Sequence, residues 1–236
     1  MTNLATIVAI FAAVLLHCLA GFGSSMVAMA ALPRWMDLRE AAPLVSLVVA
    51  TLEVVLLLRY HGALKLRSLW QMGLGMVAGA PIGVWALDRL DPKYLVYALG
   101  LSIAGYAVYG LLNLRMPQLL DPRWGMAFGL VAGILAGLFN FAGPVVVIYG
   151  QCLRWDLDEF KGNLQALFLV NQSVVIINRA IVGAYTPVVW HDYLISLPVI
   201  ALGLVLGFWL VPFVNPNIFR KLVLVLLLIL GAQLLF

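Results

Sequence analysis

Long apolar runs separated by short polar loops make up almost the whole chain. Leu4 to Phe22 is apolar and is interrupted at Gly21-Phe22-Gly23-Ser24-Ser25. A short apolar stretch, Met26 to Leu32, follows and ends at Pro33-Arg34. After a polar loop over Met36 to Ala42 come spans at Pro43 to Leu58, Leu69 to Leu87 and Tyr94 to Leu114. A basic loop over Tyr60 to Arg67 and the turn Asp88-Arg89-Leu90-Asp91-Pro92 separate them. Arg115 to Arg123, holding Pro117 and Pro122, reads as a linker. The pattern then recurs. Trp124 to Phe139 is apolar, Asn140-Phe141-Ala142-Gly143-Pro144 breaks it, and Val145 to Leu153 is short. A charged loop over Arg154 to Lys161 follows, then a span over Leu164 to Asn178. A loop at Tyr185 to Asp192 leads to spans at Tyr193 to Val211 and Ile218 to Phe236. Runs of this length and polarity predict membrane helices, because hydrocarbon holds no water to satisfy exposed backbone groups.

The recurrence is ordered. Gly23 pairs with Gly143, Arg34-Trp35 with Arg154-Trp155, and Arg59 with Arg179, each 120 positions apart. Gly83-Val84-Trp85 pairs with Gly207-Phe208-Trp209, and Asp91-Pro92-Lys93 with Asn215-Pro216-Asn217, each 124 apart. The expected architecture is therefore an all-α polytopic membrane protein of two internal repeats, 1–114 and 124–236, joined by the linker 115–123. Each repeat has a broken first helix and three further spans. If the broken segment turns back on itself, each half makes three crossings and the repeats are inverted. If it crosses, each makes four and they are parallel. The hairpin arrangement places nine Lys/Arg on one side and five (Arg34, Arg39, Arg89, Lys93, Arg179) on the other. The crossing arrangement gives eight and six. The positive-inside rule favours the more asymmetric split, hence inverted repeats with both termini outside.

Composition agrees. Of 236 residues, 64% are hydrophobic and 10% charged, where a soluble domain carries about 25% charged residues. Mean hydropathy is +1.07. The net charge of +4 is spread over short loops, so it reports topology and not nucleic-acid binding. The N-terminus lacks a basic n-region and a small-residue cleavage site, which makes the first run mature structure. Cys18 and Cys152 sit in apolar surroundings and read as small buried hydrophobes. No Walker-type loop, His pair at metal spacing or nucleophile-base-acid set is present, so neither enzyme activity, a cofactor nor a bound metal is expected.

The two breaks carry the chemistry. A helix N-terminus exposes N–H groups and a positive dipole end to a ligand, which favours an anion. Gly23 and Gly143 let the backbone approach closely, Ser24 and Ser25 offer hydroxyls, Asn140 offers its amide, and Pro144 suits a first helical turn after Ala142. The expectation is that the two breaks face each other around an anion, as repeat-built transporters place their sites. Helix kinking or close packing is the alternative. Glu53, the one acid well inside a span, is a proton-coupling carboxyl or a partner for Arg59. Its repeat mate is Ser173. A charge at the bilayer centre costs roughly 2.5–3.5 kcal/mol, so a role is required. Asn171, Gln172, Ser173, Asn178 and Arg179 form the most polar stretch of any span. Asn171 and Asn178 share a face there, and Asn171 and Gln172 would line a route. Arg59 and Arg179 read as snorkelling span ends, and Arg34-Trp35 and Arg154-Trp155 as interfacial anchors. All four arginines are also candidates for anion capture. Gln151 and Gln165 are weaker candidates.

At these breaks, in a duplicated chain of this length, the sequence resembles the TauE/SafE family of sulfite and organosulfonate exporters. The resemblance covers nearly the whole chain. It rests on Leu19-Ala20-Gly21-Phe22-Gly23, on Gly137-Leu138-Phe139-Asn140-Phe141-Ala142-Gly143-Pro144, and on the closing Asp-Pro-like turns. Family members often carry more glycine at both places, where Ser24-Ser25 and Pro144 stand here. The resemblance implies outward transport of sulfite, sulfoacetate or related sulfonates across the bacterial inner membrane, driven by protons or the membrane potential. The expected partners are the small anion and the lipid bilayer, with no nucleic acid; the oligomeric state stays open, a homodimer included. The competing readings are a permease for another solute, a metal cation included, and a non-transport membrane subunit.

Overall fold

A computed structural model describes residues 4–20, 23–60, 69–113, 117–119, 121, 123–155 and 157–235. Gly21-Phe22 and the basic loop at 61–68, with Lys65 and Arg67, lie outside the described residues, as does part of the linker, including Arg115 and Pro122. The described residues form α-helices and short 3₁₀ turns. In chain order the helices are α1 (Leu4–Ala20), α2 (Ser24–Ala31), α3 (Leu38–Tyr60), α4 (Trp70–Arg89) and α5 (Pro92–Leu112). Then come α6 (Arg123–Phe139), α7 (Gly143–Leu153), α8 (Leu157–Ile181), α9 (Pro187–Leu210) and α10 (Pro216–Gln233). Among the described residues, four stretches are long and apolar enough to cross a bilayer: Leu38–Leu58, Pro92–Leu112, Gly162–Ile181 and Pro187–Phe213. Large apolar side chains such as Leu101, Val205 and Trp209 remain exposed, as a hydrocarbon solvent allows.

Both expected breaks have a described side: α1 ends at Ala20 and α2 starts after the Gly23 N-cap, and 140–142 separates α6 from α7. Three expected loops are shorter than their polarity suggests: α3, α8 and α9 begin five to seven residues before the apolar runs do. Caps explain two of these early starts. Asp37 Oδ1 accepts from Arg39 N at 2.7 Å, and Thr186 Oγ1 accepts from Val189 N at 3.3 Å, with Pro187 at the first helical position. A capping side chain plus proline is a strong helix start even when the first turn is polar. The same device opens α5, where Asp91 accepts from Lys93 N at 2.8 Å, and α10, where Asn215 accepts from Ile218 N at 3.4 Å. Asp121 accepts from Arg123 N at 2.8 Å at the start of α6.

The two short helices fold back along the helices that precede them. Trp35, just past α2, donates its indole N–H to Thr6 near the start of α1, at 3.0 Å. Tyr149 in α7 lies beside Phe128 in α6, ring centroids 5.3 Å apart, and its hydroxyl sits over Gly125. A continuous helix would carry Tyr149 away from the start of α6. Each broken segment is thus a helical hairpin.

The chain divides into two compact units. One holds 1–48, 90–114 and 185–236; the other holds 49–89 and 115–184. In the first, hairpin α1–α2 packs with α9, and α5 packs with α10. In the second, hairpin α6–α7 packs with α4 and α8. Each unit therefore draws on both halves of the sequence.

Glycine sets the closest of these packings. Gly75, Gly79 and Gly83 recur every fourth residue on α4, and Gly125, Gly129, Gly133 and Gly137 on α6. A Cβ on Gly79 would meet the Leu130 carbonyl oxygen and come within 2.9 Å of Ile134 N. One on Gly137 would come within 2.7 Å of Val84 N and 2.8 Å of Gly83 Cα. The backbones touch reciprocally, Met72, Met76 and Ala80 carbonyls facing Gly129, Gly133 and Gly137. Such contact is how membrane helices associate without a hydrophobic driving force, and Cα–H groups facing carbonyls add to it. On α9, Gly203 and Gly207 receive Val14 and Cys18 of α1, and Gly231 of α10 comes within 2.9 Å of Ala104 N in α5. Cys18 and Cys152 are both buried, as small hydrophobes would be.

The α4–α6 contact gives a direct test. Gly79→Val and Gly133→Val are expected each to destabilise the detergent-solubilised protein by about 1–3 kcal/mol, the usual penalty of overpacking. Gly73→Ala, on the same helix but with nothing within 4 Å, is expected to leave Tm unchanged or slightly raised. Equal melting temperatures for Gly79→Val and Gly73→Ala would refute the packing account.

Candidate functional site

In the second unit the site begins where α6 ends. Asn140 takes the left-handed conformation, φ 58°. Its N–H reaches the Ala136 carbonyl at 2.8 Å, and the Phe141 N–H reaches Leu135 O at 3.2 Å. This satisfies two of the carbonyls a helix end leaves over. A third is taken by Arg179 of α8, whose Nη2 donates to Gly137 O at 3.0 Å. Its Nη1 donates to Asn140 Oδ1 at 3.1 Å. Arg179 is 1% exposed, so the snorkelling expected of it does not occur. The carbonyl end of α6 and the Asn140 side chain solvate it internally instead. Arginine has no acceptor, so the facing atom of Asn140 is its oxygen, which leaves the amide N–H₂ as the donor end. Gln172 Nε2 also approaches Asn140 Oδ1, at 3.5 Å.

Just beyond lies the start of α7. Its N-cap, Ala142, gives no side-chain cap, and Gly143 and Pro144 follow, both buried. First-turn N–H groups have no partner inside their own helix. The guanidinium of Arg179 sits at the carbonyl end of α6 and on Asn140, two residues before the Ala142 N-cap of α7.

In the first unit, α2 starts in a comparable way. Gly23 is its N-cap with φ 100° and again no side-chain cap; an L side chain would be strained there. Ser24 and Ser25 occupy the first turn and are buried. The Ser24 hydroxyl lies 2.7 Å from His17 Nδ1, so it is engaged by a residue that sequence reasoning passed over. His17 is 2% exposed, and its Nε2 is buried with no hydrogen-bond partner among the described residues. The available signal was the seven-residue separation of two polar residues flanking a break. Helices α2 and α7 thus start without a side-chain cap, as α4 does after Leu69, while α3, α5, α9 and α10 start on Asp, Asn or Thr caps.

The other candidates separate. Asn171 and Gln172 are both buried, but the polar face is not the expected one. Asn178 turns back to Val174 O at 2.9 Å, and exposed Ser173 to Leu169 O at 2.8 Å. The face that meets Asn140 carries Gln172 and Arg179, with buried Gln165 one heptad earlier, so the stripe is displaced by one residue from Asn171–Asn178. Glu53 is 3% exposed; its Oε2 has no hydrogen-bond partner, and no cation pairs with it among the described residues. Arg59 ends α3 with its side chain outside the described part. Arg34 donates to Gln233 near the end of α10. Exposed Arg154 is the left-handed C-cap of α7, φ 55°. Trp155 closes an aromatic row with Tyr149 and Phe160. Arg34 and Arg154 thus anchor the ends of the short helices.

Comparison with known proteins bears on what such an arrangement serves. The family model described as Sulfite exporter TauE/SafE matches residues 6–234. A curated relative from Comamonas testosteroni, described as a probable inner membrane transporter protein TsaS, is 28% identical over 184 residues, covering 74% of this chain and 76% of its own. No solved structure matches. With nearly its whole length matched and two uncapped helix starts buried among apolar helices, the chain belongs to the TauE/SafE sulfite exporter family of membrane transporters.

Proposed function

We propose that the protein exports a small sulfur oxyanion, sulfite or an organosulfonate such as sulfoacetate, across the bacterial inner membrane. The observation that carries this reading is Arg179, a buried guanidinium held at the break between α6 and α7 by Gly137 O and Asn140 Oδ1. An ionisable residue inside a membrane bundle marks a pathway, and a cation beside a helix N-terminus selects negative charge. A metal cation would be repelled there, which disfavours the cation-permease alternative. The proposed contacts in the second unit are the first-turn N–H groups after Ala142, Gly143 among them, and the Asn140 amide. Gln172 and Asn171 line the approach. In the first unit they are the N–H groups after Gly23, that of Ser24 among them, with the Ser25 hydroxyl, the Ser24 hydroxyl being engaged by His17. Arg34, Arg59 and Arg154 serve initial capture.

The repeat organisation belongs to the same reading. The packing of α1 with α9 and of α6 with α4 pairs elements that correspond under the 120-residue offset, and both broken segments are hairpins. This supports inverted repeats at 1–114 and 124–236 that move against one another in alternating access, with the more basic loops inside. A homodimer is compatible with the exposed apolar faces.

Two outcomes are expected. Sulfite or one sulfonate among sulfoacetate, isethionate and taurine stabilises the purified protein saturably in thermal shift and calorimetry. Asn140→Ala and Ser25→Ala each weaken that binding by about tenfold, the loss of one hydrogen bond to an ion. An affinity for divalent metals with none for these anions would refute the reading. Separately, Glu53→Gln in proteoliposomes is expected to keep anion exchange and lose accumulation driven by a pH gradient. Unchanged gradient-driven uptake would remove Glu53 from coupling.

A further inference from the structure

We infer that His17 of α1 is a substrate-contacting residue, its buried Nε2–H being a donor to an oxygen of the transported oxyanion. The inference rests on the sulfur-oxyanion reading above. It starts from the hydroxyl of Ser24. Ser24 is the first residue of α2, so no carbonyl four residues back in that helix is there to accept its proton. The described partner of its Oγ is His17 Nδ1 at 2.7 Å. A hydroxyl that donates to Nδ1 makes that nitrogen the acceptor and leaves the ring hydrogen on Nε2.

The Nε2–H is then a buried donor. It has no hydrogen-bond partner among the described residues, and an unmade hydrogen bond in apolar surroundings is unfavourable. Nothing else on His17 calls for a histidine here. The ring is too deeply buried to serve as a surface anchor, and among the described residues no group of three or more His, Cys, Asp or Glu could hold a metal. The same ring is tied to the first turn of a helix whose N-cap, Gly23, contributes no side chain. With Nδ1 held by Ser24, the ring turns its Nε2–H away from that hydroxyl, and an oxygen of a sulfite or sulfonate is the kind of acceptor that would satisfy it. Ser24 acts as the positioning residue that fixes the tautomer.

The bland account makes His17 a brace between α1 and α2, and substitutions separate the two. His17→Asn keeps a polar group near the position of Nδ1 and loses the far donor. His17→Gln places an amide nitrogen near the position of Nε2. With sodium sulfite as probe and calorimetry on the purified full-length protein, His17→Asn is expected to raise Kd about ten- to a hundredfold, as for a lost hydrogen bond to an ion. His17→Gln is expected to retain binding to within a few-fold. In wild-type protein with ¹⁵N-labelled histidine, the His17 signals should report hydrogen on Nε2, and that resonance should move on titration with sulfite. This second measurement holds even if a variant fails to fold. Wild-type affinity in His17→Asn, or a sulfite-bound wild type whose His17 resonances do not move, overturns the assignment while leaving the export reading intact. A wild type that binds neither sulfite nor sulfoacetate overturns both.

Discussion

A backbone that stops being helical inside an apolar bundle must find partners for its freed groups, because hydrocarbon supplies none. This constraint applies at the start of α2 after Gly23 and at 140–142, and much of the surrounding structure answers it. The C-terminal end of α6 is answered in full view: left-handed Asn140 turns two N–H groups onto carbonyls, and Arg179 takes a third. The N-terminal ends of α2 and α7 are treated differently. Four other helices begin with a capping side chain, whereas these two begin on Gly23 and Ala142, which give none. An Asn or Ser at such a position stabilises a helix by about 1 kcal/mol.

Holding such a hairpin requires close backbone contact, and glycine supplies it. Helix α4 lies against α6 with glycine on both faces, close enough that a single Cβ would strike a carbonyl. Interfaces of this type resist side-chain repacking, since the atoms in contact are backbone. Hairpin α6–α7 therefore has a rigid wall along one side. On the other side α8 brings Arg179 and Gln172 to the break. In the first unit α9 plays the wall, receiving Val14 and Cys18 of α1 into the gaps at Gly203 and Gly207.

Much of this was legible in the sequence. Apolar run length gave the helices, and Gly23, Asn140 and Gly143 marked the breaks, because few residues tolerate left-handed backbone or a helix start in hydrocarbon. The family resemblance followed from the same glycines. The loops at 36–42, 154–161 and 185–192 were read too long. Polarity was weighed there above capping, yet a charged first turn is ordinary for a helix whose end leaves the bilayer. Arg179 was read as snorkelling because one chain position does not reveal that Gly137 O and Asn140 Oδ1 wait for it. The heptad Gln165, Gln172, Arg179 carried that information and was overlooked for Asn171 and Asn178, one residue away. The compact units also cross the sequence halves, which no local pattern discloses: α4 belongs with α6, and α9 with α1, through glycine contacts more than 50 residues apart in the first case and nearly 200 in the second.

The two breaks reach the same end by different chemistry. Under the 120-residue offset, His17 corresponds to Gly137 and Ser24 to Pro144. Where the second unit presents a bare carbonyl to an arginine from α8, the first presents an imidazole to a serine within its own hairpin. The second break therefore holds a buried guanidinium whose N–H groups are accepted by Gly137 O and Asn140 Oδ1, and the first holds a serine hydroxyl tied to an imidazole. Duplication fixed where the helices stop, and each unit then answered its own break with the polar groups its neighbouring helices could bring, because hydrocarbon supplies none.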